Sequence, residues 1–151
     1  MYRFHISLHP MPIDSKEGEF FHDDYGQWST VTLLSSMLTD PFKIFFDQYL
    51  ERLGMLDRLF VEPDGSFVWR GVHDSLEWQV DGNAVERLQR VQMVELKGTC
   101  TEAGFDQLLK ALEWPATVPV VQLVRAGAFL QLSTFRLHAK AFAEGSTDKR
   151  L

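Results

Sequence analysis

Two short stretches of this chain carry nearly the same residues at the same spacing, and both have the pattern of an amphipathic helix. Residues 46–53 read FDQYLERL and residues 105–112 read FDQLLKAL, so Phe, Asp, Gln and two Leu occupy identical places. Apolar residues recur at intervals of three and four in each, which places them on one helical face. Such a face has to be buried, so the sequence predicts two helices that pack against a common layer.

The ends of both helices are also indicated. Asp40-Pro41 supplies an N-cap followed by a proline at the first helical position, and the apolar stripe runs from Phe42 to Leu53, where Gly54 ends it. For the second helix, either Thr99 with Glu102 or Thr101 serves as the cap, and the helix ends before Trp114-Pro115.

Most of the remaining chain is typical of β-strands. Tyr2, Phe4, Ile6 and Leu8 alternate with polar residues, which predicts a first strand with one buried face and one face in water. Residues 10–27 are polar and acidic and are interpreted as a long loop, and residues 28–35 as a strand.

Three hairpins are predicted from turn residues. Strands 58–62 and 66–72 flank Pro63-Asp64-Gly65. A second pair turns at Asp81-Gly82-Asn83 and ends near Leu96, although residues 83–90 also fit a short helix. A third pair, 118–125 and 128–140, turns at Ala126-Gly127; a shift of apolar phase within 128–140 suggests a bulge.

The order strand, strand, helix, strand, strand occurs twice, which suggests a ββαββ internal duplication with repeats 1–72 and 75–141. The alternative is that two helices share leucine spacing by chance, because both bury one stripe. We predict a single domain, residues 1–151, with an α+β fold: an antiparallel sheet of about eight strands with two main helices packed on one face.

Composition narrows the classes of partner and compartment. The formal charge is −6, so we expect neither nucleic acid nor an anionic membrane as a partner. A single cysteine rules out an intrachain disulfide, and neither a signal peptide nor a membrane span is evident. We therefore expect a soluble cytoplasmic protein.

The histidines are candidate metal ligands. His5 and His9 share one side of the first strand, but four residues of strand separate them by about 13 Å, too far for one zinc ion with bonds of about 2.1 Å. Both are predicted to face solvent. His22, Asp23 and Asp24 lie in the acidic loop and His73-Asp74 follows the first hairpin, but neither group has the spacing of a metal motif. We predict no metal and no cofactor.

Two further residue types could carry a function. Cys100 lies at the start of the second helix, where the helix dipole can activate a thiol, but no histidine is near in sequence, so a half-buried structural thiol is favoured. The four tryptophans either line a ligand pocket or pack in the core, and the core is favoured; they are Trp28, Trp69, Trp78 and Trp114.

No catalytic motif is evident, so the catalytic residues, and whether the chain is an enzyme, are left open. The leading hypothesis is a non-catalytic binding or interaction protein that self-associates as a homodimer, through an open sheet face or an edge strand. The alternative is a small-molecule ligand-binding domain or enzyme with a cleft under the 10–27 loop. In that case His22, Asp23, Asp24 and His73 would be its polar groups.

Overall fold

The computed structural model describes residues 1–145, apart from the side chain of Ser35, so residues 146–151 of the predicted domain lie outside it. Its helices are α1 (Phe46–Gly54), α2 (Glu102–Ala111) and α3 (Leu132–Gly145), with a 3₁₀ turn at Ser35–Leu38. The strands are β1 (Tyr2–Pro10), β2 (Lys16–Glu17), β3 (Phe21–Asp23), β4 (Gly26–Trp28), β5 (Val31–Thr32), β6 (Leu59–Val61), β7 (Ser66–His73), β8 (Leu76–Arg87), β9 (Arg90–Cys100), β10 (Pro119–Leu123) and β11 (Ala128–Gln131).

One antiparallel sheet dominates the molecule. Nine strands follow the order β2-β5-β11-β10-β1-β9-β8-β7-β6, and β3 pairs with β4 in a separate two-stranded sheet. The first strand of the chain lies at the centre of the large sheet, between β9 and β10. The predicted α+β fold with an antiparallel sheet is confirmed.

The core lies on the side of β1 that carries Tyr2, Phe4, Ile6 and Leu8. All three helices bury apolar side chains in this one cluster, including Phe46 of α1 and Phe105 of α2. The predicted packing of the two similar helices on one face is therefore confirmed. Over the part of the chain that the structure describes, no helix is both long and apolar enough to cross a membrane.

The third helix was predicted as a strand, which is wrong. Strand β11 ends at Gln131 and α3 begins at the next residue. The change of apolar phase that suggested a bulge is the change from strand to helix spacing, because Leu132, Phe135 and Ala139 are all buried at intervals of three and four.

Helix α1 begins later than its predicted cap. Phe42 donates its N–H to the Val91 carbonyl at 2.8 Å, and Val91 donates to the Ile44 carbonyl at 3.3 Å. Residues 42–44 are thus held in hydrogen bonds to β9, and both apolar side chains are buried. Backbone pairing with β9 overrides the local helical pattern, and Phe45 takes the N-cap position.

Two other boundaries differ from the prediction. Strand β8 runs straight through the predicted turn at Asp81-Gly82-Asn83, and the chain turns instead at Leu88 and Gln89, which both have positive φ. Residues 16–32, expected to form a loop and then a strand, form an irregular hairpin from β2 and β3 to β4 and β5.

The proposed duplication remains a hypothesis. In the second repeat, β8 and β9 pair directly. In the first repeat the corresponding strands, β1 and β5, are separated by β10 and β11. The two halves therefore contribute their first strands to the sheet in different ways.

Gly82 of β8 pairs with Phe67 of β7, and the Phe67 ring lies over the glycine. A side-chain carbon at position 82 would overlap that ring. We expect Gly82→Ala to lower the free energy of unfolding by about 1–3 kcal/mol through overpacking, measured by urea denaturation. The matched control is Gly54→Ala, whose added carbon would meet Val61 at an ordinary 3.6 Å and should cost almost nothing. Equal effects of the two substitutions would contradict this account.

Candidate functional site

The side of β1 predicted to face water is largely covered. Arg3, Ser7 and His9 are buried, so the expectation of a solvent-facing His9 is wrong. His9 Nε2 lies 2.8 Å from Ser7 Oγ, and this hydroxyl donates to Gln122 Oε1 at 3.2 Å. Since a hydroxyl has one proton, Ser7 must accept from the His9 N–H. Burial lowers the pKa of His9, which keeps the ring neutral. The group is a hydrogen-bonded chain, not an activated nucleophile.

His5 and His9 have different partners, because His5 Nε2 bonds Glu95 at 3.1 Å on the neighbouring strand. Within residues 1–145, no group of three or more His, Cys, Asp or Glu side chains is arranged to hold a metal ion.

The hairpin formed by residues 16–32 is held against α3 by a partly buried contact between Asp23 and His138. Asp23 Oδ2 lies 2.7 Å from His138 Nε2. The other carboxylate oxygen of Asp23 accepts from the backbone N–H groups of Tyr25 and Gly26 and from the Trp28 indole N–H, at 2.9, 3.1 and 3.0 Å. Asp23 thus closes the hairpin turn and binds the helix with the same side chain.

Aromatic rings surround this contact. The His138 ring has its centroid 5.0 Å from Trp28 and 6.2 Å from both Tyr25 and Phe142. Burial alone would raise the pKa of Asp23, but the hydrogen bonds from Trp28, Tyr25 and His138 outweigh it and lower the pKa. The carboxylate is therefore charged at neutral pH, and the contact is a structural link between hairpin and helix.

The other polar groups predicted for this region do not join Asp23. His22 and Asp24 are exposed, since neighbouring strand residues point to opposite sides. His73 ends β7 in the other sheet, where it lies 3.4 Å from Asp74 with both side chains exposed. Of the four groups named for a cleft under the 10–27 loop, only Asp23 makes a buried contact.

His138 was not identified from the sequence because its segment was predicted as a strand. A signal was present: Phe135, His138 and Phe142 follow helical spacing of three and four, which places the histidine on the apolar face of α3. A histidine at such a position requires a polar partner, and the acidic 10–27 segment was the richest source.

The structure also places the remaining candidates. Cys100 is the last residue of β9 and is completely buried, and burial raises the pKa of its thiol to about 12.

Trp69 and Trp78 pack edge to face at 4.9 Å in the core, and Trp28 contacts His138. Trp114 lies near the Arg136 guanidinium, which also binds Asp106. The four tryptophans therefore take part in three separate contacts.

Several open clefts lie on the surface. One, of about 840 Å³, lies at one end of β7 and β8 and includes Arg70, Trp78 and Gln79 in its lining. Another, of about 410 Å³, lies between residues 10–14 and residues 36–40. None of the four clefts described is lined by His22, Asp23, Asp24 or His73.

The side of β6–β9 opposite the core, called here the outer face, has a different character. Strand pairing places Phe60, Val68, Asp81 and Lys97 side by side across it. Three large apolar side chains are exposed here: Phe60 by 71%, Val72 by 55% and Val85 by 37%. The outer face therefore combines both signs of charge with exposed apolar groups.

The link between hairpin and helix can be tested at Asp23. We expect Asp23→Asn to lower the free energy of unfolding by about 1–3 kcal/mol near neutral pH, because His138 loses its charged partner. Asp24→Asn, one residue away and exposed, is the matched control and should have little effect.

The same pair of variants predicts a pH dependence. Because the pKa of Asp23 is lowered in the folded protein, its stabilisation is present above the ordinary value of 3.8 and is lost as pH falls through the folded value. The difference between wild type and Asp23→Asn should therefore shrink in acid, measured by denaturation at several pH values. A difference that stays constant down to about pH 2 would contradict the assignment.

Cys100 gives a separate test of the core. Because the thiol is buried and its pKa is about 12, we expect no alkylation by iodoacetamide at pH 8 in the native protein. The thiol should react at the ordinary rate once urea unfolds the chain. Fast alkylation of the native protein, with a midpoint near that of a free thiol, would show that the site is open.

Neither a protein-family model, nor a curated protein, nor a solved structure matches this chain. A function is therefore inferred from the contacts, burial and charges of its own residues.

Proposed function

We propose that this protein is a non-catalytic interaction protein that associates with a second copy of itself through the region of β6–β9. The observation that carries the proposal is the exposure of Phe60, Val72 and Val85 on the outer face. The three helices bury their apolar side chains against the opposite face.

Burial of these side chains supplies a driving force. Covering apolar surface stabilises a complex by roughly 25 cal/mol per Å², so a phenylalanine contributes about 1.5–3 kcal/mol when it is fully buried. The outer face also carries charged residues of both signs, namely Arg70 and Lys97 as well as Asp81 and Glu77. A surface that carries both positive and negative charges can be complementary to the same surface of a second copy that is related by a two-fold rotation.

The positions of the candidate catalytic groups also favour binding over chemistry. The Cys100 thiol lies in the core, and His22 and His73 lie in separate sheets. The net charge of −6 favours a protein partner over nucleic acid or anionic lipid. The proposal places the protein in the cytoplasm, where an unpaired cysteine stays reduced.

Self-association can be measured by analytical ultracentrifugation over a range of protein concentrations. We expect a reversible monomer–dimer equilibrium, with the dimer weakened by about tenfold or more in Phe60→Asp, since each 1.4 kcal/mol is a factor of ten. The control is Leu137→Asp, because Leu137 has a similar exposure of 64% but lies on α3. A strict monomer at the highest concentrations, or equal weakening by both variants, would refute the proposal.

A further inference from the structure

The sheet ends at β6, and the sequence around this edge strand is unusual. β6 pairs with β7 on one side, through Leu59 with Trp69, Phe60 with Val68 and Val61 with Phe67. Within residues 1–145, no strand pairs with the other side of β6. An exposed edge of this kind is a template for pairing with another strand.

The hydrogen bonds to β7 determine which backbone groups point toward this edge. Glu62 N–H donates to the Ser66 carbonyl at 2.8 Å, and Arg70 N–H donates to the Arg58 carbonyl at 3.3 Å. Bonds to one neighbour recur at every second residue of an antiparallel strand. Phe60 therefore directs its backbone groups toward β7, whereas Leu59 and Val61 direct theirs toward the free edge. The Leu59 N–H bonds the Leu56 carbonyl, which leaves its C=O and both groups of Val61 available for pairing.

Residues 58–62 read Arg-Leu-Phe-Val-Glu, with opposite charges at equal distances from the central Phe60. We propose that β6 pairs antiparallel with β6 of a second copy, about a two-fold axis that passes between the two Phe60 residues. In this register Leu59 lies opposite Val61 of the second copy. Arg58 and Glu62 flank the strand, so each lies at an end of the paired segment, next to the oppositely charged flanking residue of the second copy. The inference rests on the proposed self-association and places the contact at the free edge of β6, with Phe60 at its centre.

The register agrees with the backbone geometry. Leu59 and Val61, the residues that point toward the edge, occupy the hydrogen-bonded positions, and each pair forms one bond, from the Val61 N–H to the Leu59 carbonyl. The two Phe60 residues form a non-hydrogen-bonded pair, in which side chains approach most closely. Both Phe60 rings then lie on the outer face, because a two-fold axis perpendicular to the sheet keeps each side chain on its own face.

The flanking charges also have an ordinary explanation, since charged residues often protect sheet edges from pairing. Protection works through repulsion, but this register brings opposite charges together at both ends, and cross-strand pairs of opposite charge are favourable. The paired segment is short because Arg58, with φ of 64°, ends the extended run. Because only the three residues of β6 pair in each copy, we expect a weak dimer with a dissociation constant in roughly the micromolar range.

Cross-linking tests the position of the axis. Cys100 is buried, so Phe60→Cys introduces one accessible thiol. Residues in a non-hydrogen-bonded pair have Cα atoms about 4.5 Å apart, which is within the range for a disulfide. With copper phenanthroline and oxygen as oxidant, which accepts two electrons from each pair of thiols, we expect Phe60→Cys to form a covalent dimer at least tenfold faster than two controls. These are Val72→Cys, on the same face, and Leu137→Cys, on α3.

Charge exchange tests the register. Arg58→Glu and Glu62→Arg should each weaken the dimer several-fold in ultracentrifugation, because each places like charges opposite one another at both ends. The double variant, which exchanges the two charges, should restore the wild-type constant. Circular dichroism confirms that each variant is folded.

The outcomes separate the two proposals. In one outcome, Phe60→Asp weakens the dimer, but position 60 shows no preferential cross-linking and the double variant does not restore the wild-type constant. That outcome would overturn the edge pairing and leave self-association through the outer face intact. A monomer at all concentrations would overturn both.

Discussion

The packing of aromatic rings against the central strand is the interaction on which the rest of the structure depends. Phe4 of β1 meets Phe105 of α2 at 5.5 Å and Phe135 of α3 at 6.2 Å, and the two helical rings lie 5.1 Å apart. Three elements that are far apart in sequence meet at this point. Edge-to-face contacts of this type add about 0.5–1.5 kcal/mol to the burial of the rings, and they set how the two helices lie on the sheet.

The same packing orders the polar contacts around it. Arg136, one residue after Phe135, binds Asp106 of α2 at 2.6 Å and the Tyr2 hydroxyl at 3.2 Å. Two residues further along α3, His138 binds Asp23 and holds the hairpin of residues 16–32. A helix positioned by its apolar face thus presents an arginine to one neighbour and a histidine to another. Both contacts are charge-assisted, which makes them more specific in geometry than the apolar packing.

Placing all three helices on one side of the sheet has a consequence for the opposite side. An antiparallel sheet can tolerate water on one face, and such a face is ordinarily polar. On β6–β9 the outer face carries Phe60, Val72 and Val85 among its charges. The edge strand that bears Phe60 also has a charge pattern that is complementary to itself. The proposal for self-association therefore arises from the one-sided arrangement of the helices, whereas the proposal for edge pairing arises from the backbone and the sequence of β6.

The sequence by itself determined the elements whose patterns are local. The α+β class, both similar helices, the first strand and the 66–72 strand follow from periodicity and turn residues, and the Thr101 cap is one of the two predicted, with its side chain bonded to Gly104. What only the tertiary structure decided depends on distant partners. Residues 42–44 pair with β9 instead of extending α1. Asp23 is partly buried while Asp24 is exposed, because His138 lies on a helix more than a hundred residues away. Local patterns report which side of an element is apolar, but packing across the whole chain sets which strand or side chain that element meets.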